Sequence, residues 1–147
     1  MIGEKSAGAV IFYLKHNNPL FLMLKYTNYW GFVKGKVEKN EQELETVRRE
    51  AKEEANISEL KFLKGFRQAI RYFFKSGKDT INKEVIFFLA EVSEEEAKKV
   101  KISFEHEDFK WLSFDEASKI IRHKNEKALL IVSKEFIDDY LKQARLF

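Results

Sequence analysis

The chain has 147 residues, with 27 Lys and Arg against 24 Asp and Glu, a net charge of +3, and 44% apolar residues including 14 phenylalanines. That length suits one domain over residues 1–147 with its own core. No apolar run approaches the roughly 20 residues that cross a bilayer, MIGEKSAGAV lacks the parts of a signal peptide, and without cysteine there is neither a disulfide frame nor a zinc–thiolate site.

In chain order, Ala7–Lys15 and Leu20–Tyr26 are apolar and β-prone, and Asn17-Asn18-Pro19 between them is turn chemistry, so a hairpin is predicted. NYWGFVKGKVEKNE, with Gly31 and Gly35, reads as a loop. Glu41 to Ala55 is predicted helical, because Leu44, Val47, Ala51 and Ala55 repeat on one stripe and Gly and Pro are absent. Leu60 to Phe74 and Ile81 to Val92 are β-rich runs joined by the turn residues 76–79, and Phe109–Leu112 is a further short strand. Ser113 and Glu116 form a capping-box pattern that opens a helix to about Arg122, and a second helix covers Glu126 to Gln143. Strands, helix, strands, helices in that order predict one mixed-sheet α/β or α+β domain. No dominant Lys/Arg block singles out nucleic acid. A cytoplasmic protein with no membrane and no stable nucleic-acid partner is expected, its oligomeric state left open.

The segment RREAKEEA (48–55) sets Glu50, Glu53 and Glu54 at i, i+3 and i+4, on one helix face. Like charges at that spacing repel, by roughly a few tenths of a kcal/mol per pair. They also sit in the C-terminal half of the helix, where the macrodipole disfavours negative charge. A solvated charged face is the bland alternative. A hard divalent cation resolves the conflict, since Mg²⁺ takes oxygen ligands and a few carboxylates suffice alongside substrate phosphates. Lys34 and Lys36, in the VKGKVE segment leading into the helix, are placed to hold those phosphates.

The spacing also resembles the signature of the Nudix hydrolases. Gly35 is followed after five residues by Glu41 and after seven more by Arg49-Glu50, then Ala51, Lys52, Glu53, Glu54, Ala55, Asn56 and Ile57. Only the closing glycine differs, as Asn56, the next best residue for a left-handed helix end. The resemblance implies an α/β/α sandwich around a mixed β-sheet, with the box at residues 35–57. It implies that Glu50, Glu53, Glu54 and the carbonyl of Gly35 bind Mg²⁺, with Mn²⁺ able to substitute. Arg49 and Glu41 would orient the catalytic glutamate.

A closer resemblance, to the asymmetrical diadenosine tetraphosphate hydrolases, runs through YWGFVKGKVEKNE, LKGFRQAIRYFF, KEVIFFLAEV and FEHEDFKWLSFDEA. Val33 stands where proline is usual, Phe109 where tyrosine is frequent, and Tyr29 where histidine is frequent. It implies a small-molecule nucleotide substrate, cut to ATP and AMP. Glu105 matches a downstream glutamate acting as base or extra metal ligand, and a solvated loop glutamate is the alternative. Lys34, Lys83 and Arg67 are the expected phosphate contacts. Tyr72 and Phe109 match adenine-stacking positions, with ordinary core residues as the alternative. His106 is expected to be exposed, and Trp30 to plug the loop from below. A triphosphate, ADP-ribose or RNA 5′ end is the competing substrate class, and a non-catalytic nucleotide sensor or RNA-binding module the competing function.

Overall fold

The opening hairpin forms around a tighter turn than expected. β1 (Ile2–Lys15) and β2 (Asn18–Lys25) pair antiparallel up to Lys15↔Asn18. His16 and Asn17 take φ of 52° and 64°, the left-handed pair that lets a two-residue turn follow the twist of its strands. Pro19 therefore falls within β2, opposite Leu14. The computed structural model describes residues 2–146, so Met1 and Phe147 of the expected 1–147 domain lie outside it.

Residues 28–41 are not wholly loop, for they contain β3 (Trp30–Gly31) and β4 (Val33–Lys36). β4 pairs with Ser6–Ala9 of β1, while β2 pairs with the other half of that long strand. Such short strands carry too few residues for a periodic signal. α1 (Glu43–Ala55) follows. The run from Leu60 is broken into β5 (Lys61–Phe62) and β6 (Gln68–Ser76), with Gly65 at φ 94° between them. β7 (Asp79–Glu91) leads to α2 (Glu94–Lys98), an unexpected five-residue helix whose N-cap Ser93 accepts from the Glu96 N–H at 3.1 Å. β8 (Asp108–Leu112), α3 (Phe114–Ile120) and α4 (Lys124–Leu146) complete the chain.

β1 and β7 run parallel from Ile2↔Ile81 to Phe12↔Glu91, and every other pairing is antiparallel, so the eight-stranded sheet is mixed. Side chains alternate across a strand. Val10 and Phe12 join Phe21, Phe87 and Leu89 against Leu129, Leu130 and Ile137 of α4. Ala9 and Ile11 join Leu22 and Val33 against Val47, Ala51 and Ala55 of α1. Both faces are covered by helices, which is the α/β/α sandwich.

The small side chains of Ala51 and Ala55 let α1 sit close on the sheet, and both are fully buried. Leu44, expected on the same stripe, is 41% exposed instead. It belongs to the first turn, which lines an open cleft with Lys5, Val37, Arg67 and Phe88. At the other end Asn56 adopts φ 58° and ψ 35°, and the Ile57 N–H bonds the Ala51 carbonyl at 3.1 Å. The left-handed residue stops the helix directly after the acidic turn.

Candidate active site

The acidic turn of α1 is organised around Arg49. Its Nε and Nη2 donate to the two oxygens of Glu41 at 2.7 and 3.0 Å, Nη1 donates to Glu50 Oε1 at 2.7 Å and Glu53 Oε2 at 3.3 Å, and Nη2 also reaches the Lys36 carbonyl at 3.0 Å. Glu41 accepts as well from the Thr46 hydroxyl (2.7 Å) and the Glu38 N–H (3.0 Å). The Arg49 guanidinium, helped by those two donors, holds the Glu41 carboxyl down at about 2. One arginine thus ties the chain entering α1, the end of β4 and two acidic side chains into a single network, where sequence reasoning had left the acids uncompensated.

Glu50 lies against β4 at Gly35, so closely that a Cβ there would stand 2.0 Å from Glu50 Cδ. Only glycine admits this approach. Glu54, one turn on, is 4% exposed. Burial, and then the Glu50 carboxyl beside it, push its pKa well above the carboxylate range. Its Oε1 accepts from the Lys34 N–H at 3.3 Å, and its Oε2 meets His106 Nε2 at 2.7 Å and the Tyr26 hydroxyl at 3.5 Å. Glu53 is turned outward onto Arg49, its side chain 58% exposed. The three carboxylates expected side by side are therefore an inner pair, the buried Glu54 and the partly buried Glu50, and an outer member.

Lys34 joins this pair to a second cluster. Its ammonium donates to the Tyr29 hydroxyl at 3.3 Å and lies 4.7 Å from the ring centre of Tyr26 and 5.3 Å from that of Tyr29, two rings stacked 4.8 Å apart. Among the described residues it forms no ion pair, and burial lowers its pKa. Tyr72 and Lys83 face each other across the β6–β7 ladder. The Tyr72 hydroxyl donates to Glu126 in the first turn of α4, and burial, with that bond, raises the phenol pKa. Lys36 is exposed beside Gly35.

Two expected contacts do not join this group. Arg67 is tied to Glu43 by bonds of 3.0 and 2.8 Å, a carboxylate shared with Lys5 at 2.6 Å. That pairing sits in the first turn of α1, opposite the end that carries Glu54. Phe109 packs with the cluster under α1 and Tyr72 with the cluster under α4, so the structure does not set the two rings together. Trp30 packs at the edge of the α4-side core.

Glu105 is exposed in the segment before β8. Its neighbour His106 corrects the expectation of a surface histidine, since it is 6% exposed and bonded to Glu54. Sequence reasoning missed His106, Tyr26 and Glu126. None has a periodic or spaced signal, because each arrives from a different element and only the folded chain juxtaposes them.

The donor set fits a divalent cation. Glu50 and Glu54 offer hard carboxylate oxygens beside the Gly35 backbone, and Glu54 has no Lys or Arg side chain as partner among the described residues. No group of three His, Asp or Glu side chains is gathered at ligand spacing among the described residues, consistent with the outward Glu53. Two carboxyls held together away from water are costly unless a proton or a cation lies between them.

A family model described as NUDIX domain matches residues 4–133. The asymmetrical bis(5′-nucleosyl)-tetraphosphatase of Sus scrofa is 36% identical over 122 residues, covering 80% of each chain. That of Caenorhabditis elegans is 32% identical over 131 residues, covering 86% of this chain and 91% of its own. The crystal structure of a C. elegans Ap4A hydrolase binary complex matches with a TM-score of 0.81 at 28% identity, covering 92% of this chain and 98% of that one.

Proposed function

The chain belongs to the Nudix family and is a Nudix pyrophosphohydrolase, and from that premise we propose that it hydrolyses diadenosine tetraphosphate asymmetrically, with Mg²⁺ or Mn²⁺ as cofactor, to ATP and AMP. The observation that carries this reading is Lys34. Its backbone N–H holds Glu54 while its ammonium, free of any carboxylate partner among the described residues, points into a cluster with Tyr29, Tyr72 and Glu126 at its borders. A phosphate bound by that ammonium lies within one residue's reach of the paired acids. Relatives named for this reaction support the same substrate.

Glu50, Glu53, Glu54 and the Gly35 carbonyl would hold the ion. Once bound, it supplies positive charge to the phosphate oxygens and acidifies water beside them. Lys34 and Lys83 bind phosphates, with Lys36 at the rim. Arg49 and Glu41 are positioning residues that keep Glu50 in place, and Glu105, exposed in the segment before β8, would take the proton from water. Tyr72 stacks on one adenine, a contact worth about 1–3 kcal/mol. One anchored base and one fixed acid pair impose a register along the polyphosphate. Water therefore adds at a phosphorus off the centre of a symmetric substrate, and the P–O bond that breaks releases AMP from ATP. The same reading places the protein among soluble nucleotides in the cytoplasm.

Chromatography of an early time point with diadenosine tetraphosphate and Mg²⁺ tests it. Equal ATP and AMP are expected. ADP as sole product overturns the asymmetric assignment. Consumption of a nucleoside triphosphate, ADP-ribose or an RNA 5′ end with the dinucleotide untouched transfers the chain to the broader pyrophosphatase class. Binding without turnover of any of them makes it a sensor.

A further inference from the structure

His106 has no part in the chemistry above, yet it is the closest partner of Glu54. Both side chains are buried, 2% and 5% exposed, and Nε2 meets Oε2 at 2.7 Å, well within hydrogen-bonding distance. The imidazole is fixed from several sides. The backbone N–H of His106 bonds the Ser103 carbonyl at 3.1 Å, and the ring stands edge-on to Tyr26 with centroids 4.6 Å apart. The segment carrying it is sewn to the end of α1 by Lys101 N–H to the Ala55 carbonyl and Ser103 N–H to the Glu54 carbonyl, each 3.1 Å. Tyr26 is held in turn, donating to the Phe32 carbonyl at 2.7 Å.

Packing alone does not explain a histidine here. Nδ1 is buried and has no partner among the described residues. A buried polar atom left unsatisfied costs about 1–3 kcal/mol, which an apolar side chain of similar size would avoid. With the hydrogen on Nε2, the ring donates to Glu54 and its orphan is a lone pair rather than an N–H. The only polar work the buried ring performs is on that carboxylate.

We infer that His106 is a positioning residue for Glu54, holding Oε2 so that the carboxylate stays beside Glu50 with its other lone pairs open to a divalent cation. Partners behind a ligating group orient it, and their loss weakens metal binding by roughly tenfold to a hundredfold. This inference rests on the metal reading proposed above, and the test separates the two.

Mn²⁺ binding is measured by the electron paramagnetic resonance of the free ion, in the absence of substrate, for the unmodified protein, Glu54→Gln, His106→Leu and His106→Gln. Leu keeps the bulk and removes the donor, whereas the Gln amide can place an N–H near the position of Nε2. Far-UV circular dichroism and melting establish that each variant folds. Expected are loss of the site in Glu54→Gln, Mn²⁺ affinity reduced roughly tenfold to a hundredfold in His106→Leu, and recovery of most of it in His106→Gln. Native affinity in His106→Leu overturns the positioning role alone, provided that Glu54→Gln is defective. Equal weakness in the Leu and Gln variants also overturns it, since packing would then be the whole contribution. If the unmodified protein binds no Mn²⁺, or Glu54→Gln binds it equally well, the metal reading falls and this inference with it.

Discussion

Replacing Gly35 by alanine separates function from folding more sharply than any change to a charged residue. The backbone tolerates it, because Gly35 is not among the residues with positive φ. The new Cβ would stand 2.0 Å from Glu50 Cδ, 2.1 Å from Oε1 and 2.5 Å from Cγ, whereas ordinary contact begins at 3.4 Å. The colliding atoms are the far end of a flexible side chain, so Glu50 swings away by at least about 1.4 Å and β4 stays in place. The loss is the 2.7 Å bond from Arg49, about 1.5–3 kcal/mol for a hydrogen bond to a charged group. Reduced entropy of the unfolded chain returns about 0.4–1 kcal/mol. The net destabilisation is about 0.5–2.6 kcal/mol, a fall of at most about ten degrees in Tm. Misplacing a reacting group by about 1 Å costs on the order of a hundredfold in rate, so kcat should drop by that factor or more. Initial rates with diadenosine tetraphosphate and a thermal melt on one preparation decide the matter. Full activity in a folded Gly35→Ala protein would refute the claim that Glu50 must lie against this strand.

Two further outcomes follow from the surrounding network. Tyr72→Phe leaves Glu126 buried without a donor and should cost about 1–3 kcal/mol while keeping KM for the adenine dinucleotide. Tyr72→Ala should raise KM and spare kcat, and an unchanged KM in the Ala variant removes Tyr72 from the adenine contact. Glu41, held from 4.5 down to about 2 by Arg49, contributes stability that is complete above pH 4.5 and is lost as pH falls toward 2. The Tm difference between the unmodified protein and Glu41→Gln should therefore be positive at pH 6 and shrink steadily below pH 4.5. A difference that stays constant down to about pH 3 would show that the Arg49–Glu41 pair does not stabilise the fold.

Much of the fold was legible along the chain. The apolar, β-prone runs of β1 and β7, the stripe of Val47, Ala51 and Ala55, and the cap at Ser113 are local patterns, and local patterns report local structure. The spacing from Gly35 to Glu54 was legible for the same reason, since strand, turn and one helix are short-range objects. Elements too short to be periodic were not: β3, β4 and α2 exist because β2, β1 and the backbone of residues 58–59 give them partners. The site divides along the same line. Sequence alone put Arg49, Glu50, Glu53 and Glu54 on one helix, but which carboxylate is buried depends on the sheet, and it buries Glu54 while Arg49 draws Glu53 outward. The pairing of Arg67 with Glu43, 24 residues earlier, has no signal along the chain either. His106 is 52 residues from Glu54 and Glu126 is 54 from Tyr72. Contacts at such separations leave no trace in spacing, because they are set by which strands pair and which loop docks at a helix end, and those are decided only when the sheet closes over both cores.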